Sequence, residues 1–466
     1  MSLLGTSDEG QGQKAKADLL WGFIAQSLQY GAGLLLLPVL VTRLTSEEVG
    51  FWFVLLAVQS LVGLLDFGFS PTFARNFTFV FSGARELRRE GVSEKSGQIN
   101  IKLLASLVGS AKAVYLLLAL AAMLLLLVGG TSYVHLLIEK SPSLRNPMAT
   151  WVVFCLTAVL NIALSWQNAL LLGGHRVRGN YQIGIVNRVS MLIASWIGLL
   201  LFHQLFVVAV AYAIGVVLSR ALGWYLCRDL LRALPKVKNK LDWEVIQAIW
   251  YSSSRMGLVT FGAFLINRYS VFVVSYFYGL SQSASYSIAL QMLSVAAGMA
   301  QVAFVTYLPR LAACRISEDH DLLKNYFIRS NLYAWAIFFC IAFGIIFLSD
   351  WLLLVIHSKT TMPARPLLIL MAVVAFLECN HSNAALVITT ENKVPFVAAA
   401  LYSGLAIFVL ASLAGWEQLG VWSVVAAQGL VQVAYNNWQW PLRVHRELKI
   451  HWRDYRHALY RAGPQN

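Results

Sequence analysis

Apolar residues run through this chain in about a dozen stretches of roughly 20 residues, separated by short polar connectors. Leu34–Val41, Leu116–Val128, Leu192–Phe202 and Ile337–Leu348 are the cores of four of them. A backbone in hydrocarbon must satisfy its own hydrogen bonds, so runs of this length predict membrane-spanning helices rather than strands. The predicted spans are 19–42, 49–80, 103–128, 148–173, 180–203, 205–227, 246–276, 283–309, 327–349, 366–390, 394–414 and 419–441. Gly68 and Pro71 fall inside the second and predict a kink or break there. The expected fold class is all-α: a polytopic membrane protein of about 12 transmembrane helices in two six-helix bundles.

Composition narrows this further. Charged residues make up 12% of the chain, about half the share in soluble proteins, which is roughly 25%. The apolar share is 58% and the mean hydropathy +0.64. Twelve spans use most of the 466 residues, so no large domain outside the membrane is expected. The net charge of +14 would suggest nucleic acid in a soluble protein. Here the basic residues follow the alternation of connectors, and nucleic-acid binding is not expected. With the N-terminus inside, 25 Lys and Arg fall on the cytoplasmic side and five on the other. Both termini are therefore expected to be cytoplasmic.

The expected division is a disordered cytoplasmic tail (1–18), an N-terminal six-helix bundle (19–231), a cytoplasmic linker holding Pro235 (232–244), a second six-helix bundle (245–442) and a basic tail (443–466). Two six-helix halves suggest a parallel repeat about an axis along the membrane normal. The five cysteines show no CxxC pair and no metal-ligand spacing, and no metal or other cofactor is expected. No nucleophile–base set, HExxH motif or phosphate-binding loop occurs, and no catalytic residue is assigned.

The segment from Pro38 to Phe77 carries a distinctive order of residues: Pro38, Arg43, Leu44, Glu47, Glu48, Gly50, then Asp66, Gly68, Pro71 and Arg75. In this it resembles the polysaccharide-export branch of the MOP (multidrug/oligosaccharidyl-lipid/polysaccharide) exporters. The resemblance implies a MATE/MOP-like fold and a Wzx-type flippase. Such a protein moves undecaprenyl-diphosphate-linked oligosaccharide, an O-antigen or other surface-polysaccharide unit, from the inner to the outer leaflet of a bacterial inner membrane. The implied partners are that lipid-linked oligosaccharide, membrane lipids, H⁺ or another coupling ion, and polysaccharide polymerase machinery.

Ionisable groups at membrane depth cost about 2.5–3.5 kcal/mol each on insertion scales and usually face a cavity. Arg255, Arg268, Arg188 and Arg75 are the candidates to bind an anionic head group, since guanidinium grips phosphate oxygens with paired hydrogen bonds. Arg255 is favoured, because Tyr251 and Gly262 share its helical face. Arg255 and Arg268 would share a face only if Gly257 or Gly262 bent the helix between them. The same arginines could instead snorkel to an interface or cap carbonyls. Neutral polar stripes at helical spacing add Asn161 and Asn168 beside Ser165, and Gln291 and Gln301 beside Ser294. Each stripe is either sugar-binding surface or helix–helix glue. Asp66, on a stripe with Gln59, Gly63 and Ser70, and Glu378, beside Asn380, His381 and Asn383, are candidates for ion coupling or structural partners. The nearer rival function is a cation-coupled multidrug exporter of the MATE type, whose cavity should favour carboxylates. A peptidoglycan-precursor flippase would usually have more spans. A polytopic glycosyl-transfer enzyme would need a large outer loop, and the outer connectors here are short. The expected mechanism is alternating access, with the two bundles rocking about a central cavity.

Overall fold

Long apolar runs, interrupted only by short polar turns, fold into helices throughout the computed structural model, which describes residues 8–87, 98–235, 242–391 and 395–460. Eleven of the described helices are long and apolar enough to cross a membrane. The protein is an all-helical, multi-pass membrane protein. By packing it divides into two units. The first comprises Met1–Glu48 and Leu55–Thr260, the second Val49–Val54 and Phe261–Asn466.

In the first unit the helices are α1 (Asp8–Arg43), α2 (Ser46–Leu64), α3 (Phe69–Phe81), α4 (Ile101–Leu125), α5 (Thr131–Lys140), α6 (Pro147–Ala163), α7 (Trp166–Gly173), α8 (Val177–Phe202), α9 (Leu205–Arg232) and most of α10 (Trp243–Asn267). α1 begins well before the expected start of the first span at Leu19, so 8–18 of the expected tail are helical. Residues 1–7 lie outside the described residues, as do the basic stretches 88–97 and 236–241, the latter inside the expected linker.

Local chemistry sets the helix ends. Thr45 and Glu48 form a reciprocal capping box at the start of α2: the Glu48 amide donates to the Thr45 hydroxyl at 3.2 Å, and the Thr45 amide to the Glu48 carboxylate at 3.0 Å. Asn100 caps α4 by accepting from the Leu103 amide at 3.1 Å. The break expected near Gly68 is present. α2 stops at Leu64, and Phe67 and Gly68 take left-handed backbone angles (φ 46° and 76°) before α3. Glycine suits such an angle because it has no Cβ to clash. A π-helical turn, Leu126–Gly130, joins α4 to α5. A further break, at Leu164–Ser165, separates α6 from α7. No glycine or proline marks it.

The second unit holds the end of α10 with α11 (Tyr269–Tyr278), α12 (Leu280–Val305), α13 (Leu308–Ile316), α14 (His320–Val355), α15 (Arg365–Thr389), α16 (Val397–Trp416), α17 (Val421–Ala434), α18 (Asn436–Glu447) and α19 (Trp452–Tyr460). The twelfth expected run is split at Tyr435 into α17 and α18. Gly262 lies inside α10, which continues unbroken to Asn267. There the Ala400–Gly404 face of α16 crosses so closely that a Cβ on Gly262 would lie 2.5 Å from the Ala400 carbonyl oxygen. The end of the unit that carries the C-terminal helices is tied by charge. Arg315 on α13 bonds Glu447 at 2.5 Å and pairs with Glu391 at 3.2 Å, and Lys324 on α14 meets Asp454 on α19 at 2.6 Å. The Lys324 hydrogen bond and the His451 amide hold the Asp454 carboxyl below the usual range.

Candidate functional site

The stripes on α2–α3 and α6–α7 meet inside the first unit. At the Leu64–Phe69 break, one Asp66 oxygen accepts from the Ser70 amide at 3.2 Å, holding the start of α3. Its other oxygen accepts from the Tyr115 hydroxyl at 2.6 Å. Tyr115, on α4, is fully buried. Across the cluster, the Tyr212 hydroxyl donates to Gln59 Oε1 at 2.8 Å.

Arg220 is the residue that sequence reasoning passed over. It is 7% exposed, and all five of its N–H donors are used. Nε and Nη2 bond Asn161 Oδ1 at 3.0 and 2.7 Å, and Nη2 also reaches Ser165 Oγ at 3.1 Å. Nη1 bonds Asn168 Oδ1 at 2.9 Å and the Leu164 carbonyl at 3.4 Å. The side chain therefore straddles the α6–α7 break and ties side chains on either side of it together. Asn161 and Asn168, predicted as substrate ligands, spend their side-chain oxygens on this arginine. The signal was in the sequence: a lone Arg in the middle of an apolar run, with a matching Asn–Ser–Asn stripe elsewhere.

The four predicted arginines differ in their surroundings. Arg255 is exposed on α10 in the first unit. Its guanidinium accepts no charge partner among the described residues; it donates to the Tyr251 hydroxyl at 2.6 Å and lies over that ring, 4.3 Å from the centroid. Tyr251 and Ser254 also line a cavity of about 620 Å³, together with Trp243, Gln247 and Trp250. Gly257, one turn on, packs against Phe67, which stacks on Trp250 with ring centroids 6.0 Å apart. Arg188 is half-buried on α8 and reaches back toward the Gly184 carbonyl at 3.5 Å. Arg75 is exposed on α3.

In the second unit, Arg268 is exposed where α10 gives way to α11. Glu378 Oε1 lies 3.7 Å from His381 Nε2, and His381 Nδ1 is 2.8 Å from Asn437 Oδ1. The other Glu378 oxygen is buried without a hydrogen-bond partner, as are both side-chain atoms of Asn383. Asn380 accepts from the Trp335 indole at 2.9 Å. Gln291 and Gln301 are half-buried on α12. Gln432 and Asn436, one turn apart, act as helix glue: Asn436 donates to Ser403 on α16 at 2.9 Å and to Gln432 at 2.7 Å. No group of three metal-ligating side chains occurs among the described residues.

No family model matches this chain, and no curated protein sequence matches it. Solved structures do. A multidrug-resistance MATE family transporter of the MOP superfamily, in an inward-facing conformation, superposes with a TM-score of 0.62 at 14% identity, over 93% of this chain and 99% of that one. The lipid II flippase MurJ, in an inward closed conformation, gives 0.62 at 12% identity, over 95% and 89%. A MOP superfamily transporter from Pyrococcus furiosus, described as having a binding pocket of reversed polarity, gives 0.53 at 15% identity, over 94% and 97%. At such identities the likeness is one of architecture, and it extends over nearly the whole chain: the protein has the helical fold of the MOP superfamily transporters.

Proposed function

We propose that this chain is a transporter of an anionic lipid-linked oligosaccharide of the undecaprenyl-diphosphate type. It moves the head group between leaflets of a bacterial inner membrane by alternating access, with both termini on the cytoplasmic side. The observation that carries this reading is Arg255. It is an exposed guanidinium with no carboxylate partner among the described residues, bonded to Tyr251, which itself lines a cavity with Trp243 and Trp250. A cation beside aromatic surface suits a ligand with a charged diphosphate and a greasy tail.

Hydrogen bonds to charged groups contribute about 1.5–3 kcal/mol. Arg255→Ala is therefore expected to slow flipping of a fluorescent undecaprenyl-diphosphate oligosaccharide in proteoliposomes by roughly tenfold to a hundredfold. Arg255→Lys, which keeps the charge but not the fork, should fall between. Wild-type rates in both variants contradict the assignment.

Coupling is proposed to run through Glu378. Asp66 is engaged by Tyr115 and Ser70, whereas Glu378 has a buried, unpartnered oxygen beside His381. A pH gradient across the vesicles should speed flipping by the wild-type chain and leave Glu378→Gln unstimulated. Indifference of the wild type to the gradient, or equal stimulation of the variant, excludes this route. The rival reading, export of organic cations, draws on the same two half-buried carboxylates, Asp66 and Glu378.

A further inference from the structure

A second cavity, of about 670 Å³, lies wholly within the second unit, inside the range of about 300–1,000 Å³ typical of ligand pockets. It opens where three connectors meet: Gly279 between α11 and α12, 356–364 between α14 and α15, and 417–420 between α16 and α17. These connectors sit at the opposite ends of α14, α15 and α16 from the Arg315–Glu447 cluster. Gly279 and Gly420 have nearly the same backbone angles (φ 87°, ψ 164° and φ 86°, ψ 166°) and start α12 and α17 with no side-chain cap.

The lining is unusual in its chemistry. No Asp, Glu, Lys, Arg or His contributes. Aromatic faces come from Phe277, Tyr278 and Trp422, and neutral hydrogen-bonding groups from Ser281, Gln282 and Gln418. Trp422 is 45% exposed, and Ser281, Gln282 and Gln418 are exposed too. Among the described residues none of these four side chains spends its polar group on another protein atom, whereas the Tyr278 hydroxyl is committed to the Ala414 carbonyl at 3.1 Å. A site for an organic cation would be expected to offer a carboxylate, and one for a phosphate a cation. Flat apolar faces beside uncommitted amides and hydroxyls instead match a ring with C–H faces and a rim of hydroxyls.

We propose that this cavity binds a short neutral oligosaccharide. Its rings lie on Trp422, and its hydroxyls bond Gln282, Gln418 and Ser281. The further step, that it holds the glycan of the transported lipid on the side of release, rests on the function proposed above; the binding itself does not.

Saturation-transfer NMR on the full-length chain in nanodiscs tests the binding, with free maltotriose, chitotriose and mannotriose as neutral probes and trigalacturonate as the anionic control. At least one neutral trisaccharide should show saturable transfer stronger than that of trigalacturonate. Trp422→Ala should weaken it about five- to tenfold, the scale of one aromatic contact. Gln282→Ala combined with Gln418→Ala should weaken it similarly, and Trp422→Phe should preserve it. Unchanged thermal melting of each variant shows that the fold is intact. Absence of transfer from every neutral trisaccharide, or undiminished binding in folded Trp422→Ala, overturns the site. If the chain flips lipid-linked glycan yet binds none of these sugars, the pocket is wrong and the transport reading stands. If it binds them through Trp422 but moves no anionic lipid, the reverse holds.

Discussion

Arg220→Ala should melt at a markedly lower temperature, with a loss of about 3 kcal/mol. Interhelical hydrogen bonds in membranes average about 0.6 kcal/mol, so the five bonds of this guanidinium together contribute about 3 kcal/mol. The variant leaves the side-chain oxygens of Asn161 and Asn168, on either side of the α6–α7 break, without their arginine donor. Arg220→Lys should be intermediate, since one ammonium cannot reach both asparagines and the carbonyl with a fixed fork. Differential scanning fluorimetry of the purified variants checks this. Wild-type melting in Arg220→Ala, with transport abolished, would instead make Arg220 a substrate or coupling residue.

Gly262→Val carries the second large effect, in the other unit. A Cβ at Gly262 would sit 2.5 Å from the Ala400 carbonyl oxygen and 2.6 Å from its carbon, and a Cβ at Gly404 would sit 2.8 Å from the Gly262 carbonyl oxygen. These are backbone atoms, which cannot swing aside as a side-chain tip can. The helices must separate, giving up the packing that holds α10 against α16. Overpacking usually costs about 1–3 kcal/mol, and a clash with backbone belongs at or above the top of that range. Poor recovery and a sharply lowered melting temperature are expected for Gly262→Val, and a milder loss for Gly262→Ala. Normal melting of the valine variant would show that the α10–α16 crossing is loose.

The helical, multi-pass fold was legible because hydrophobic periodicity and span length act locally along the chain. The break at Gly68 was equally local: a glycine free to take φ 76° with a proline three residues on. The break at Leu164–Ser165 was hidden, because the residue that supports it, Arg220, lies 56 residues away from Leu164 on another helix. The split at Tyr435 has no glycine or proline at the break itself. Gly262 is one of two glycines at which the sequence allows α10 to bend. Its partner signal, Ala400 and Gly404 four residues apart, is the spacing of a small-residue helix crossing, and fixes it as a contact point. The polar stripes were visible as stripes. Their division into Arg220 glue and uncommitted groups depends on what stands opposite, which one helix cannot reveal.

The proposed cargo is an anionic lipid carrying sugar. Proteoliposomes holding the wild-type chain should be offered, in parallel, a fluorescent undecaprenyl-diphosphate oligosaccharide and the organic cation ethidium. Protein-dependent flipping of the lipid, slowed in Arg255→Ala, with no protein-dependent movement of ethidium, is the predicted result. Ethidium transport with the lipid left in its original leaflet would contradict it.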